Sequence, residues 1–384
     1  MRDVMIIGTG ATPVAEHWER SPAALIRAAF RAALGNHDPQ QIGAIYAANA
    51  LGNALGVQAQ AGAAVAAAVG LVGIEAISID AAGASGAAAL RQAYLAVASG
   101  THDVVAVVAF EKVSDLLDDR REAALALAGD PDWEAIHGTT LTSQWAMLMR
   151  RYMHEHGYQA GDFAPFPVNA HANGAHNPLA LYRFATTADK VRAATPVADP
   201  LGLLDSATLA DGAAVVIIAA TGTAHEMGHL GVQIVASALA TDTPALHSRR
   251  DPLHLGAAAR SCAAVIAQAG ITHADLDLFE FTDPHGIAAT LALESCGFYD
   301  LGTAPRHAAD GAIAPGGTTP LATGGGYKAR GDVGGASGLY QVIEIVRQLR
   351  GEAGAAQVPG ARIGLAQSLG GLGGTAVSHV LRIS

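Results

Sequence analysis

Residues 77–90 read Ile-Ser-Ile-Asp-Ala-Ala-Gly-Ala-Ser-Gly-Ala-Ala-Ala-Leu, "ISIDAAGASGAAAL". An apolar strand-like run meets a turn of small residues, and a helix-like run follows. Many α/β enzymes present a reactive side chain at such a helix start. This turn offers only Gly83, Ala84, Ser85 and Gly86. The same text returns near the other end of the chain. "GASGAAALRQAYLAVASG" (83–100) resembles "GASGLYQVIEIVRQLRG" (335–351), including the glycine that closes each helix. A strand-like run follows each copy, "DVVAVVAF" and "ARIGLAQS". A repeat that includes caps and the next strand points to a duplicated unit.

The surrounding pattern is α/β. Val4–Gly8, Ala44–Ala47 and Ala76–Ile79 read as strands. "SPAALIRAAFRAAL" reads as a helix over Pro22–Leu34, with Ser at the cap and Pro in the first turn. "HDVVAVVAFEKV" and "DGAAVVIIAAT" (211–221) are strands, and "LGVQIVASALA" opens a second series. The stretch from about 114 to 204 is richer in charge, His, Pro and Trp and reads as an insertion. We therefore expect an N-terminal half over 1–230 carrying that insertion, and a C-terminal half over 231–384.

Of the 384 residues, 51% are hydrophobic and 15% charged, enough for a large buried core and too apolar for disorder. A net charge of −11 argues against a nucleic-acid or anionic-membrane surface. Two cysteines, Cys262 and Cys296, exclude a disulfide framework and fit a reducing compartment. "MRDVMIIGTG" has no long apolar region and reads as a first strand, and the Ala-rich run 61–74 is too short to span a bilayer. The expectation is a cytoplasmic protein.

Longer segments carry a resemblance. They are "VASGTHDVVAVVAFEKVSD" (97–115), "NAHANGAHNPLA" (169–180), "ADPLGLLDSATLADGAAVVI" (198–217), "GGGYKARGDVGGASGLYQVIEIVRQLRGEAG" (324–354) and "GLAQSLGGLGGTAVSHVL" (364–381). In this order they resemble the thiolase superfamily, and most the archaeal and sterol-carrier-protein-type thiolases, acetyl-CoA acetyltransferases of lipid metabolism. The resemblance implies an α/β thiolase fold, two βαβαβαββ halves stacked as a five-layered αβαβα sandwich with a loop subdomain inserted in the first. It implies an acyl-CoA ligand, no other cofactor and a homodimer or larger assembly. A small zinc-ribbon/OB-fold protein is an implied partner.

The resemblance also places the site and shows where this chain departs from it. The family's nucleophilic Cys stands in Cys-Ala-Ser-Gly; the matching residue is Gly83. The Gly-His-Pro motif matches Gly331-Asp332-Val333, so Asp332 stands for the His. The third motif matches Thr282-Asp283-Pro284-His285, and the fourth Ser368-Leu369-Gly370-Gly371. Neither Cys262, inside "AAARSCAAVIAQAG", nor Cys296, in "LALESCGF", stands in for the missing thiol; both read as small core residues. Ser85 reads as a capping or packing serine.

Without a thiol, covalent acyl transfer has no carrier. Backbone N–H groups at Gly83 and Gly370 remain able to polarise a thioester carbonyl. Around them the resemblance gathers Thr282, Asp283, His285, Tyr327, Asp332 and Ser368. Asp332 or His285 is a candidate general base and Thr282 or Tyr327 a candidate donor, a set suited to retro-aldol cleavage of a β-hydroxyacyl-CoA. The alternatives are an inactive CoA-binding or scaffold subunit, and residual acyltransferase activity. Arg183, Lys190 and Arg192 are candidates for the CoA phosphates, each also readable as ordinary surface charge. One of His171 and His176 is expected to line the acyl pocket or to order its loop.

Two motifs are declined. "HEMGH" (225–229) has a zincin spacing but a glycine inside it, between strand-like runs, and reads as a loop; no metal is expected. "GTGATP" (8–13) lacks the third glycine of a dinucleotide loop.

Overall fold

The computed structural model describes residues 1–384 apart from Val57 and Leu230. The sheet strands are β1 (Val4–Ala11), β2 (Ala44–Ala48), β3 (Glu75–Ile79), β4 (Val104–Glu111), β5 (Gly212–Ala220), β6 (Val232–Thr241), β7 (Leu278–Phe281), β8 (Ile363–Gly370) and β9 (Thr375–Ile383). They form one sheet in the order β3-β2-β4-β5-β1-β6-β9-β8-β7. Its halves join where β1 meets β6, through Met5↔Gln233 and Ile6↔Val232.

Each half follows the same path. In the first, β2 runs parallel to β3 and β4, and β5 is antiparallel to β4 and β1. In the second, β7 runs parallel to β8, and β9 is antiparallel to β8 and β6. The copy of β3 is the exception to the expected βαβαβαββ pattern. It is reduced to a parallel bridge, Phe279↔Leu321. Leu230, at the expected boundary of the halves, lies outside the described residues. The "HEMGH" segment starts in a short helix, Thr221–Glu226, rather than the expected loop. The "GTG" of residues 8–10 lies inside β1.

Five layers follow from the burial. Helices α1 (Pro22–Leu34) and α2 (Ala61–Val69) cover the outer face of the first half-sheet. Ser21 caps α1 and Pro22 opens it, as the sequence predicts. Helices α3 (Ser85–Ser99) and α6 (Ser337–Leu349) share one core with both half-sheets. Helices α4 (Gly256–Ala269) and α5 (Gly286–Ser295) cover the outer face of the second. Strand β4 shows why its sequence is apolar at every position. Val105, Val107 and Ala109 face the central helices, while Val104, Ala106 and Val108 face α1 and α2.

The repeated Gly-Ala-Ser-Gly sits where α3 and α6 begin, and these two starts pack on each other. A Cβ on Gly86 would lie 2.7 Å from the Gly335 carbonyl oxygen; one on Gly338 would lie 2.6 Å from Ser368 Oγ and 3.0 Å from the Ala87 nitrogen. The insertion between β4 and β5 docks on the second half through helix Leu141–His156, where the Tyr152 hydroxyl donates to Glu294 Oε1 at 2.6 Å. Among the described residues no helix is long and apolar enough to cross a membrane.

Candidate active site

A cavity of about 440 Å³ opens where the parallel strands end and the central helices begin. Gly83, Asp80, Thr282, His285, Tyr327 and Asp332 line it, with Leu51, Leu125, Leu127, Leu141, Trp145 and Leu209 as its apolar wall. The end of β8 contributes Leu369 and, just beyond it, Gly371.

Twin turns hold two of the acids. Asp80 Oδ1 accepts from the Ala82 N–H at 2.9 Å and lies 3.3 Å from Ser85 Oγ, which accepts from the Ala81 N–H at 2.9 Å. Asp332 repeats the arrangement. Its Oδ1 accepts from the Gly334 N–H (2.9 Å) and Ser337 Oγ (3.0 Å), and Ser337 Oγ accepts from the Val333 N–H (2.8 Å). Each is an Asx turn that starts a helix. Ser85 is thus a turn serine, buried at 0% exposure. Burial pushes the Asp332 carboxyl above its ordinary range, against the pull of Ser337 and the Gly334 N–H.

Gly83 lies against the end of β8. A Cβ there would stand 2.8 Å from the Leu369 carbonyl oxygen, and one on Gly370 would stand 2.5 Å from the Ala81 carbonyl oxygen. The two segments meet backbone to backbone. Gly370 does not line the cavity; its neighbours Leu369 and Gly371 do.

His285 precedes α5. Its Nδ1 lies 3.3 Å from the Asp205 carbonyl oxygen, which only accepts, so in the neutral ring Nδ1 carries the proton and Nε2 keeps a lone pair. Burial pushes its pKa down to about 4, with the nearby Lys328 charge adding to the effect. Thr282 Oγ1 accepts from the Leu369 N–H at 2.9 Å and lies 3.2 Å from the Tyr327 hydroxyl. Burial keeps the Tyr327 hydroxyl firmly protonated.

Behind the wall is a buried charge network. Tyr327 is the second residue of the turn Gly326–Arg330, whose Arg330 is fully buried. Arg330 pairs with Glu344 at 2.9 Å and stacks on Tyr327 and Tyr340, with its guanidinium 5.2 and 5.4 Å from the rings. Asp283 Oδ1 accepts from the Tyr327 N–H at 2.7 Å. Burial pushes Asp283 up to about 7 and Glu280 well above its ordinary value, the neighbouring Glu344 charge adding to the latter. Lys328 is buried too, donating to the Ser206 carbonyl at 2.7 Å.

Several expected site residues fall elsewhere. Asp283 faces this network, not the cavity. Ser368 Oγ donates to Gln341 Oε1 at 2.6 Å inside the core. Neither His171 nor His176 lines the cavity. His171 is buried beside Phe184, with Nδ1 3.1 Å from its carbonyl oxygen, and His176 is exposed. His171 therefore takes the loop-ordering role. Arg183, Lys190 and Arg192 are exposed and away from the cavity wall, and Arg192 pairs with Asp189. Cys262 and Cys296 are buried in the second half's outer core, as expected.

Sequence reading missed Asp80, Glu111 and Glu122. Glu111 ends β4, and its Oε1 accepts from the N–H groups of Ala50 (2.5 Å), Leu51 (3.2 Å) and Gly335 (3.1 Å). The signal available was a lone acid closing an apolar strand. For Asp80 the signal was its alignment with Asp332 across the repeat. Glu122 lines the cavity from helix Asp118–Ala126, and its carboxyl is raised by burial, then by Asp118.

Residues 238–383 match the family described as thiolase C-terminal domain-like. The chain is 39% identical over 382 residues to an acetyl-CoA acetyltransferase of Methanothermobacter thermautotrophicus, covering 99% of both chains. It belongs to the thiolase superfamily. This thiolase homologue is also 31% identical over 284 residues to a 17-hydroxy-3-oxo-4-pregnene-20-carboxyl-CoA lyase of Mycobacterium tuberculosis, covering 70% of this chain and 72% of that one. A solved chain described as an Ltp2-ChsH2(DUF35) aldolase shares the fold, with a TM-score of 0.82 at 24% identity over 99% of this chain and 98% of that one.

Glu111 gives the thiolase homologue a testable pH dependence. Burial pushes its pKa up to about 8, so the folded state holds the proton longer than the unfolded chain does. Its stabilising contribution is full below the ordinary carboxylate range, falls as pH rises toward about 8 and is gone above that. Glu111→Gln keeps an oxygen for the three N–H groups and removes the titration. Urea unfolding is expected to show the variant gaining on the wild type as pH rises from 5 to 9.

Proposed function

We propose that this thiolase homologue acts on acyl-CoA without a covalent intermediate, cleaving a β-hydroxyacyl-CoA by a retro-aldol reaction. One observation carries this reading. Among the described residues the cavity beside the Gly83 turn is lined by no thiol, yet His285 enters it as a neutral imidazole with a free Nε2. By resemblance, Gly83 is where relatives hold their nucleophilic Cys.

His285 Nε2 takes the hydroxyl proton as the hydroxyl carbon becomes a carbonyl. The Cα–Cβ bond breaks, and its electron pair passes to Cα and the thioester oxygen. The Gly83 N–H and the Tyr327 hydroxyl serve that oxygen as donors. In this scheme Asp332 carries the proton that goes to Cα, the direction in which burial shifts its carboxyl, and His285 returns its proton to Asp332. A ketone or aldehyde and a shorter acyl-CoA leave. Opposed shifts of His285 and Asp332 support the division into base and acid. The lyase relative carries a CoA ester in its name, in keeping with this substrate class.

A second reading is a CoA-binding subunit without turnover. It is favoured by Asp332 being engaged in its own turn and by Ser368 facing the core. The solved neighbour's description couples two proteins, so we also read this chain as part of an assembly. A homodimer fits the open edge β3, where Ile77 is 44% exposed; a monomeric mass by sedimentation removes that part.

Incubation with 3-hydroxyacyl-CoA esters is expected to release acetyl-CoA and the matching carbonyl compound, read by mass spectrometry. His285→Ala is expected to lower kcat by about 10²- to 10⁴-fold. Binding with no product favours the second reading. Gly83→Cys is expected to cost about 1–3 kcal/mol in urea unfolding, because its Cβ meets a carbonyl. It should also fail to gain thiolysis; ordinary thiolysis by this variant would contradict a refashioned site.

A further inference from the structure

His285 borders two cavities. One is the active-site cavity, and the other is a small pocket behind the ring that Asp205, Asp283 and Lys328 also line. The turn Leu203–Asp205 and the residues after it are tied to the start of α5. The Ala207 N–H donates to the Pro284 carbonyl at 2.8 Å, and Asp205 Oδ1 accepts from the Gly286 N–H at 2.9 Å. These two bonds flank the contact between the Asp205 carbonyl and His285 Nδ1. Lys328 holds the same turn. Its Nζ donates to the carbonyls of Leu203 (3.4 Å) and Ser206 (2.7 Å), on either side of Asp205 in the chain, and lies 5.2 Å from the Tyr182 ring. Burial lowers its pKa to about 8, so it keeps most of its charge at pH 7. Asp80, Glu122, Tyr327 and Asp332 border His285 from the cavity side, Asp205 and Asp283 from behind; Lys328 is the cation among these groups. A neutral imidazole carries its proton on either nitrogen, and the partner of one nitrogen decides the choice. Only a proton on Nδ1 leaves Nε2 as a base.

We propose that Lys328 is a positioning residue for His285: it pins the 203–206 segment so that the Asp205 carbonyl keeps the proton on Nδ1 and leaves Nε2 to act in the cavity. Its charge is a second hold, because a cation here opposes protonation of the ring while the surrounding acids favour it. Lys328 acts through His285 and does not line the active-site cavity. Its part in catalysis rests on the retro-aldol reading; its hold on the ring is read without turnover.

The test is an NMR titration of the full chain with nitrogen-15-labelled histidine rings, the His285 signals being identified by their absence in His285→Gln. The wild-type ring is expected to carry its proton on Nδ1 at pH 7. Lys328→Met is expected to bring up the Nε2–H form and to raise the titration midpoint of His285 by about one pH unit. Lys328→Arg, which keeps the charge and the donors, is expected to keep the wild-type tautomer, and melting curves show that each variant folds. With 3-hydroxyacyl-CoA, Lys328→Met is expected to lower kcat more at pH 5 than at pH 8 and to leave KM unchanged. A wild-type ring with its proton on Nε2 overturns the inference without any variant. So does a folded Lys328→Met that keeps the wild-type tautomer and midpoint. Signals that change as expected in a chain that turns over no hydroxyacyl-CoA overturn the retro-aldol reading and leave the hold of Lys328 on His285 standing.

Discussion

Two helix starts must touch without side chains between them. That constraint, imposed by the facing Gly-Ala-Ser-Gly turns at 83–86 and 335–338, organises the molecule. It brings α3 and α6 together in one shared core, so the two half-sheets close over a single central layer. It also aims the positive ends of both helices at one place, where the Asp80 and Asp332 carboxylates sit in matching turns. The cavity is therefore a product of the duplication, as each half supplies one turn.

The chemistry around that place is set by burial more than by ion pairing. His285 is stripped of water and kept neutral, while the same dryness favours the protonated form of Asp332. Arg330 and Glu344 lie inside the core, where breaking such a pair costs far more than making it gains. Their value here is geometric. They hold the turn that carries Tyr327, and Asp283 grips the same turn by the Tyr327 N–H.

The architecture was legible because it is written in periodicity and repetition. The β4 run, the capped α1 and the twin turns all appear where the residues predict them. One strand of the second half was not legible as lost, because a single bridge at Leu321 leaves no alternating pattern to read. Site residues fared unevenly. His285, Thr282, Tyr327, Asp332 and Gly83 line one cavity. Ser368 and Asp283 were placed by motif alone, and a motif fixes the backbone without saying which way a side chain turns. Strand alternation sends Ser368 to the core, beside Leu369 on the cavity side. Glu111 and Glu122 were missed because their partners come from segments far away in the chain, or are absent.

The buried acids also change what the whole molecule looks like to an electric field. The formal charge of −11 counts every carboxylate as ionised. Glu111 and Glu280 favour the proton near neutrality, and Asp283 and Asp205, each pushed up to about 7, share it. Near neutral pH these acids leave the native molecule less anionic than its denatured chain. Below neutrality the buried imidazoles of His171, His285 and His379, held down to about 4, work the other way, because they stay neutral where ordinary imidazoles take up charge.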